Sequence, residues 1–260
     1  MGSVRYSSEN GIATLVIDQP DRLNAMTYEM WASLEGLVAR AEADASVRAI
    51  LVTGEGGRAF CAGADISQFG SQRDGEDATR AYDQAYLSGC AAIAKASKPS
   101  VAVIRGVCFG GGFGLAMSCD LRLARSDARF CVPAARLGLG YAYEGVRALF
   151  GKLGAGPVAD LLLSARIVAG EEALRLGIVN ALWGADSFEQ EAQAYLGRIA
   201  ANAPLTLRAV KQTLNALLAG EEERDIDAAD RAIAACFTSA DYKEGQRAFR
   251  EKREPAFIGE

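Results

Sequence analysis

The chain predicts an α/β fold with a helical C-terminal part. Up to about Ala124, short strand-like apolar runs alternate with segments of helical spacing, and from Gly154 on the pattern is mainly helical. Half of the 260 residues are hydrophobic, which supplies one sizeable core or a core plus a small appendage.

The elements follow in order. Tyr28 to Ala43 places apolar residues at helical spacing, and Ala49 to Thr53 is a buried-strand run. Thr79 to Ala96 again has helical spacing, and Val101 to Ile104 is a second buried strand. Leu121-Arg122-Leu123-Ala124 alternates apolar and polar residues as a half-buried strand does. Beyond Gly154, helices are broken at Gly170, Gly177, Gly184 and Pro204, with Ile178 to Leu182 fitting one late strand.

Charge and cysteine usage exclude several classes of function. The formal net charge of −5 argues against a nucleic-acid or anionic-membrane surface. No apolar run reaches the length of a membrane span, and the N-terminus lacks a basic-then-apolar signal pattern. The six cysteines are scattered without a C-x-x-C pair, as expected of reduced, mostly buried thiols in a cytoplasmic protein. There is no histidine, so a His-based triad, a His general base and every His-containing metal motif are ruled out. No metal site is expected.

Two clusters of small residues carry the chemistry. One is Arg58-Ala59-Phe60-Cys61-Ala62-Gly63-Ala64-Asp65-Ile66 and the other is Gly106-Val107-Cys108-Phe109-Gly110-Gly111-Gly112-Phe113-Gly114. Each adjoins an apolar, strand-like run. Small residues there let a ligand approach bare backbone N–H groups. Two such groups on separate loops can converge on one oxygen and stabilise its negative charge. Alternatively, Gly110 to Gly112 merely permit tight strand–helix packing.

These segments resemble the crotonase (enoyl-CoA hydratase/isomerase) superfamily, and the resemblance covers nearly the whole chain. Ile12 to Ile17 followed by Arg22-Leu23-Asn24-Ala25-Met26-Thr27 is similar to the family's first strand and Asn-Ala-Met turn. Phe60 to Ile66 is similar to its first oxyanion loop, and Lys98 to Ile104 with Gly106 and Gly110 to Gly112 is similar to its second. Ala248 to Arg253 resembles its last helix. The resemblance implies a spiral of strand-strand-helix turns over residues 1–195. It also implies a C-terminal helical region, 196–260, that builds a homotrimer or a dimer of trimers and closes the substrate site. The substrate implied is an acyl-CoA thioester, with coenzyme A present as part of it and no separate cofactor.

By the same matching, the backbone N–H groups of Ala62 and Gly111 are the donors to the thioester oxygen. Arg22, Ala25, Cys61, Ala64, Asp65, Ile66, Gly110, Gly114, Ala134 and Leu137 line the substrate. Phe249 and Lys252 match a pair that covers the CoA adenine and phosphates of a neighbouring subunit, and Arg58 joins Arg22 as a candidate phosphate contact. The chain departs from the pattern where a hydratase carries its two glutamates: Gly114 and Ala134 stand there, and neither holds a proton. An aspartate used by dienoyl isomerases and aryl-CoA dehalogenases is matched by Ala142. What remains is Tyr141, which matches the tyrosine of methylmalonyl-CoA decarboxylase-like members, and Glu144. Either these two act on the substrate, or Tyr141 and Tyr143 line the acyl pocket while Glu144 begins a helix. Asp65 is expected to cap the helix after its loop. The thiols are expected to be inert without a basic neighbour. The function implied is an acyl-CoA enzyme working through an oxyanion-stabilised enolate. The alternatives are a catalytically silent acyl-CoA binder or a decarboxylase-like enzyme using Tyr141.

Overall fold

The structure, a computed structural model, describes residues 2–65 and 75–260. Ile66 lies outside them. The chain opens with an antiparallel hairpin, β1 (Ser3–Glu9) and β2 (Ile12–Asp18), joined at Asn10-Gly11, where both residues take positive φ. Thr27 caps α1 (Tyr28–Ala43) by accepting a hydrogen bond from Met30 N–H at 3.3 Å.

From there the chain winds as a spiral. β3 (Ala49–Gly54), β5 (Ser100–Ile104) and β7 (Leu121–Arg125) join one sheet. β4 (Ala59–Cys61), β6 (Val107–Phe109) and β8 (Arg129–Cys131) join a second. A helix closes the first two turns: α2 (Glu76–Lys95) after β4, and α3 (Gly111–Ser118) after β6. The large sheet has order β1-β2-β3-β5-β7-β10, with β10 spanning Ala181–Trp183; the small one has order β4-β6-β8-β9, with β9 spanning Val168–Ala169. β2-β3-β5-β7-β10 and β4-β6-β8 run parallel. This is the strand-strand-helix progression the resemblance implies.

The main core fills the space between the sheets and α1 to α3, around Trp31, Phe60, Phe113 and Phe130. A second cluster covers the other face of the large sheet, where Phe188, Ala192 and Leu196 of α7 (Ala185–Ala201) meet Val101, Val103 and Leu123. Strands covered on both faces read as continuous apolar runs, which is why β5 is buried at every residue. β7 departs from its alternating sequence for a related reason. Arg122 is buried, donating through Nε to Ile178 O at 2.6 Å and through NH1 to Cys119 O at 2.9 Å.

The remaining helices are α4 (Tyr143–Leu153), α5 (Ala155–Ser164), α6 (Gly170–Arg175), α8 (Pro204–Leu218), α9 (Ile226–Thr238) and α10 (Ala240–Glu251). Gly177, Gly184 and Pro204 fall at helix ends or starts, as their chemistry dictates, while Gly170 opens α6 rather than breaking it. α7 runs unbroken through residue 195, where the division of the chain was expected. The late strand forms three residues further on than its expected start, as β10. No helix among the described residues is long and apolar enough to cross a membrane.

Candidate active site

Parallel pairing places the carboxyl ends of β4, β6 and β8 side by side. Cys61 pairs with Cys108 and Phe109 pairs with Cys131, so the three following loops emerge together. Gly110 N–H ties the second loop to the third by donating to Cys131 O at 2.9 Å. Crevices at strand carboxyl ends are where α/β sheets hold ligands.

The first loop is fixed by the Asn-Ala-Met turn. Leu23 and Asn24 both take left-handed backbone, which Asn tolerates better than most residues. Asn24 is fully buried and satisfied: its amide donates to Glu55 O at 2.9 Å and Ala59 O at 2.8 Å, and its oxygen accepts from Gln19 N–H at 3.0 Å. The turn then grips the loop along one edge. Ala62 N–H donates to Leu23 O at 3.0 Å, Met26 N–H to Gly63 O at 2.7 Å, and Asp65 N–H to Met26 O at 2.9 Å. Arg22 NH1 bonds both oxygens of the buried Asp65 carboxylate at 2.8 Å, and Gln19 donates to it at 3.2 Å. Asp65 thus locks the turn to the loop; the helix it was expected to cap lies outside the described residues.

This geometry corrects the expected donor. Ala62 N–H is spent on Leu23 O. Met26 and Ala64 form a parallel bridge in which Met26 bonds the residues on either side of Ala64, so Ala64 N–H faces away from the turn. The two loops touch there: a Cβ built on Gly63 would lie 3.1 Å from Phe109 O and 3.4 Å from Gly111 N. Ala64 N–H and Gly111 N–H have no hydrogen-bond partner among the described residues, and both residues are partly open to solvent.

The glycines of the second loop have separate tasks. Gly110 has φ 51° and ψ −121°, which side-chain-bearing residues avoid, and it turns β6 into α3. Gly112 serves packing, since a Cβ there would come within 2.6 Å of Cys61 Cβ and 2.8 Å of its Sγ. Gly111 begins α3, so its N–H is one of the unpaired donors at the positive end of the helix.

Several other expected residues converge here. Cys61 is fully buried, Ala25 is buried beside the turn, and Ala134 packs on the core at the end of the third loop. Tyr141 is partly buried, and burial pushes its phenol up to about 12. Burial likewise pushes the thiols of Cys61 and Cys119 up to about 12, that of Cys90 to about 11, and that of Cys108 well above the ordinary range. These are neutral thiols at physiological pH, not thiolate nucleophiles.

Other expected residues stand apart. Glu144 sits in the first turn of α4, exposed and ion-paired with Arg147 at 2.8 Å, so it begins a helix and does not stand as a buried carboxylate. Leu137 is 56% exposed and the Arg58 side chain is at the surface. Phe249 is 86% exposed and lines a separate apolar cavity of about 750 Å³ with Leu214, Ile233, Phe237 and Tyr242 of α8 to α10. Lys252, also exposed, ends α10 in left-handed backbone.

One residue escaped the sequence motifs. Tyr82, Tyr86 and Cys90 repeat at four-residue spacing along α2 and so share one of its faces. Tyr82 donates its hydroxyl to Met26 O at 3.0 Å and accepts from Trp31 Nε1 at 3.1 Å. One turn on, Tyr86 meets Trp31 edge to face at 5.0 Å and sets its hydroxyl against Gly114. A Cβ at position 114 would overlap that oxygen, well inside 3.0 Å.

A two-sheet spiral with its loops gathered at the carboxyl ends of the smaller sheet is the crotonase fold. It superposes on the crystal structure of an enoyl-CoA hydratase/carnithine racemase from Magnetospirillum magneticum with a TM-score of 0.92, at 32% identity over 100% of this chain and 97% of that one. The chain belongs to the enoyl-CoA hydratase/isomerase family, whose profile matches residues 7–260. It is 30% identical to the short-chain-enoyl-CoA hydratase of Clostridium acetobutylicum, over 97% of this chain and 96% of that protein. It is 31% identical to the crotonyl-CoA hydratase of Syntrophomonas wolfei, over 98% of each. It is thus an acyl-CoA enzyme of that family.

Proposed function

We propose that this enzyme binds an acyl-CoA ester with its thioester oxygen between Ala64 N–H and Gly111 N–H, and that it reacts through the enolate so stabilised. The observation that carries this reading is the pair of N–H groups, without a hydrogen-bond partner among the described residues, on loops that touch at Gly63 and Gly110. Donors preset at the place where charge develops each contribute about 3–4 kcal/mol to such steps. The positive end of α3 adds to the field.

The reaction is not ordinary enoyl-CoA hydration. Gly114 and Ala134 stand where the resemblance puts the two hydratase glutamates, and Glu144 is at the surface. The neutral phenols and thiols around the cleft donate hydrogen bonds and protons but are poor bases. The chemistry favoured is isomerisation, decarboxylation or a narrow lyase step. Of these, the partly buried Tyr141 beside the cleft favours decarboxylation of a substrate that carries its own α-carboxylate, because loss of CO₂ leaves the enolate without a protein base.

The test is turnover of a panel of acyl-CoA esters, with calorimetric binding of butyryl-CoA in parallel. CoA esters are expected to bind and at least one to react, with crotonyl-CoA hydration depressed by about 10²–10⁴ per missing acid–base group. Wild-type hydration at the rate of a glutamate-bearing relative would overturn the assignment. Binding without turnover of any ester would make the chain a silent acyl-CoA binder.

A further inference from the structure

Tyr86 reaches the cleft from α2, beside the loops that carry the two open N–H groups. Its ring lies against the start of α3: a Cβ built on Gly111 would be 3.6 Å from Tyr86 Cε2 and 3.2 Å from Trp31. Its hydroxyl occupies the space that any side chain at Gly114 would need. Beside it on α3, the Ser118 hydroxyl donates to Gly114 O at 2.9 Å. Tyr86 and Gly114 are both only partly buried.

We infer that Tyr86 is a catalytic residue, the acid that protonates the α-carbon of the enolate held between Ala64 N–H and Gly111 N–H. This rests on the enolate chemistry proposed above. The new bond is Cα–H; the bond broken is the phenol O–H, and its electron pair stays on the oxygen. The tyrosinate recovers its proton from solvent. No oxidant or further reactant is involved. Burial raises both phenols above the usual tyrosine range, so each begins the cycle protonated. The bare Gly114 is the counterpart of this arrangement, since it leaves the hydroxyl its place.

The experiment uses the panel ester with the fastest turnover. Tyr86→Phe keeps the ring and its contact with Trp31 and removes only the hydroxyl. It should lower kcat by about 10²–10⁴-fold while KM and butyryl-CoA affinity stay within about threefold. Gly114→Ala, which displaces the hydroxyl without deleting it, should lower kcat in the same way. The double variant should be no slower than Tyr86→Phe, because both changes remove one group. Tyr86→Phe with wild-type kcat would overturn the inference and leave the enolate reading standing, as would a double variant slowed by the product of the single effects. If no ester binds or reacts, the enolate reading falls and this inference falls with it.

Discussion

Gly114→Ala measures how tightly Tyr86 is seated. The new methyl group would overlap the Tyr86 hydroxyl well inside 3.0 Å, and the ring is held edge to face by Trp31. Overpacking of this kind costs about 1–3 kcal/mol. Against this, replacing glycine inside a helix gains roughly 0.5–1 kcal/mol. The net expectation is destabilisation by roughly 0–2.5 kcal/mol. In a Tyr86→Phe background the obstructing oxygen is gone. The nearest ring atom is then Cζ, 3.2 Å from the Cβ position, tight but able to yield. There Gly114→Ala should be close to neutral, so the two sites should couple by roughly 1–3 kcal/mol. Urea unfolding of the four proteins supplies the cycle. An equal cost of Gly114→Ala in both backgrounds would refute the seating of Tyr86 described here.

Three further outcomes are expected. Stability should fall with pH above 9, because unfolded thiols ionise near 9.0 while Cys61, Cys90 and Cys119 hold their protons to about 12, 11 and 12. The unfolded state then binds fewer protons, and each such thiol contributes a slope of about 1.4 kcal/mol per pH unit. Lys152, lowered by burial from 10.5 to about 8, works in the opposite sense between those values but is outnumbered, and Cys119→Ala should make the alkaline fall shallower in a pH series of unfolding curves. Asn24→Ala should cost about 2–4 kcal/mol, since it orphans the buried Glu55 and Ala59 carbonyls and puts alanine at φ 57°, and calorimetric melting would show it. Glu144→Gln should leave kcat and the pH profile unchanged and shift stability by less than about 1 kcal/mol, as for an exposed pair; a lost limb in the pH profile would restore Glu144 as a base.

The strands and helices that position the cleft were legible because their periodicity is local. α1 formed over the expected Tyr28–Ala43, and the glycine run did turn β6 into α3. The donor on the first loop was not legible. Ala62 and Ala64 differ in which way their N–H groups face, because Gly63 between them takes φ 106° and because Met26, on a turn some forty residues earlier, pairs with Ala64. Tyr86 was hidden for another reason: with Tyr82 and Cys90 it makes an ordinary apolar stripe of a packed helix. Only its proximity to Gly114, on a different helix, gives the stripe a second meaning. Arg122 hid in the same way, because an alternating strand reads as half-exposed until the backbone carbonyls that receive its guanidinium are in place.

The central claim concerns one oxygen atom, and a crystal structure of the enzyme with butyryl-CoA bound tests it most directly. The thioester oxygen should lie about 2.7–3.1 Å from both Ala64 N and Gly111 N, with Ala62 N–H still bonded to Leu23 O. A thioester oxygen seated away from either of those two nitrogens, or an Ala62 N–H that leaves Leu23 to receive it, would contradict the account.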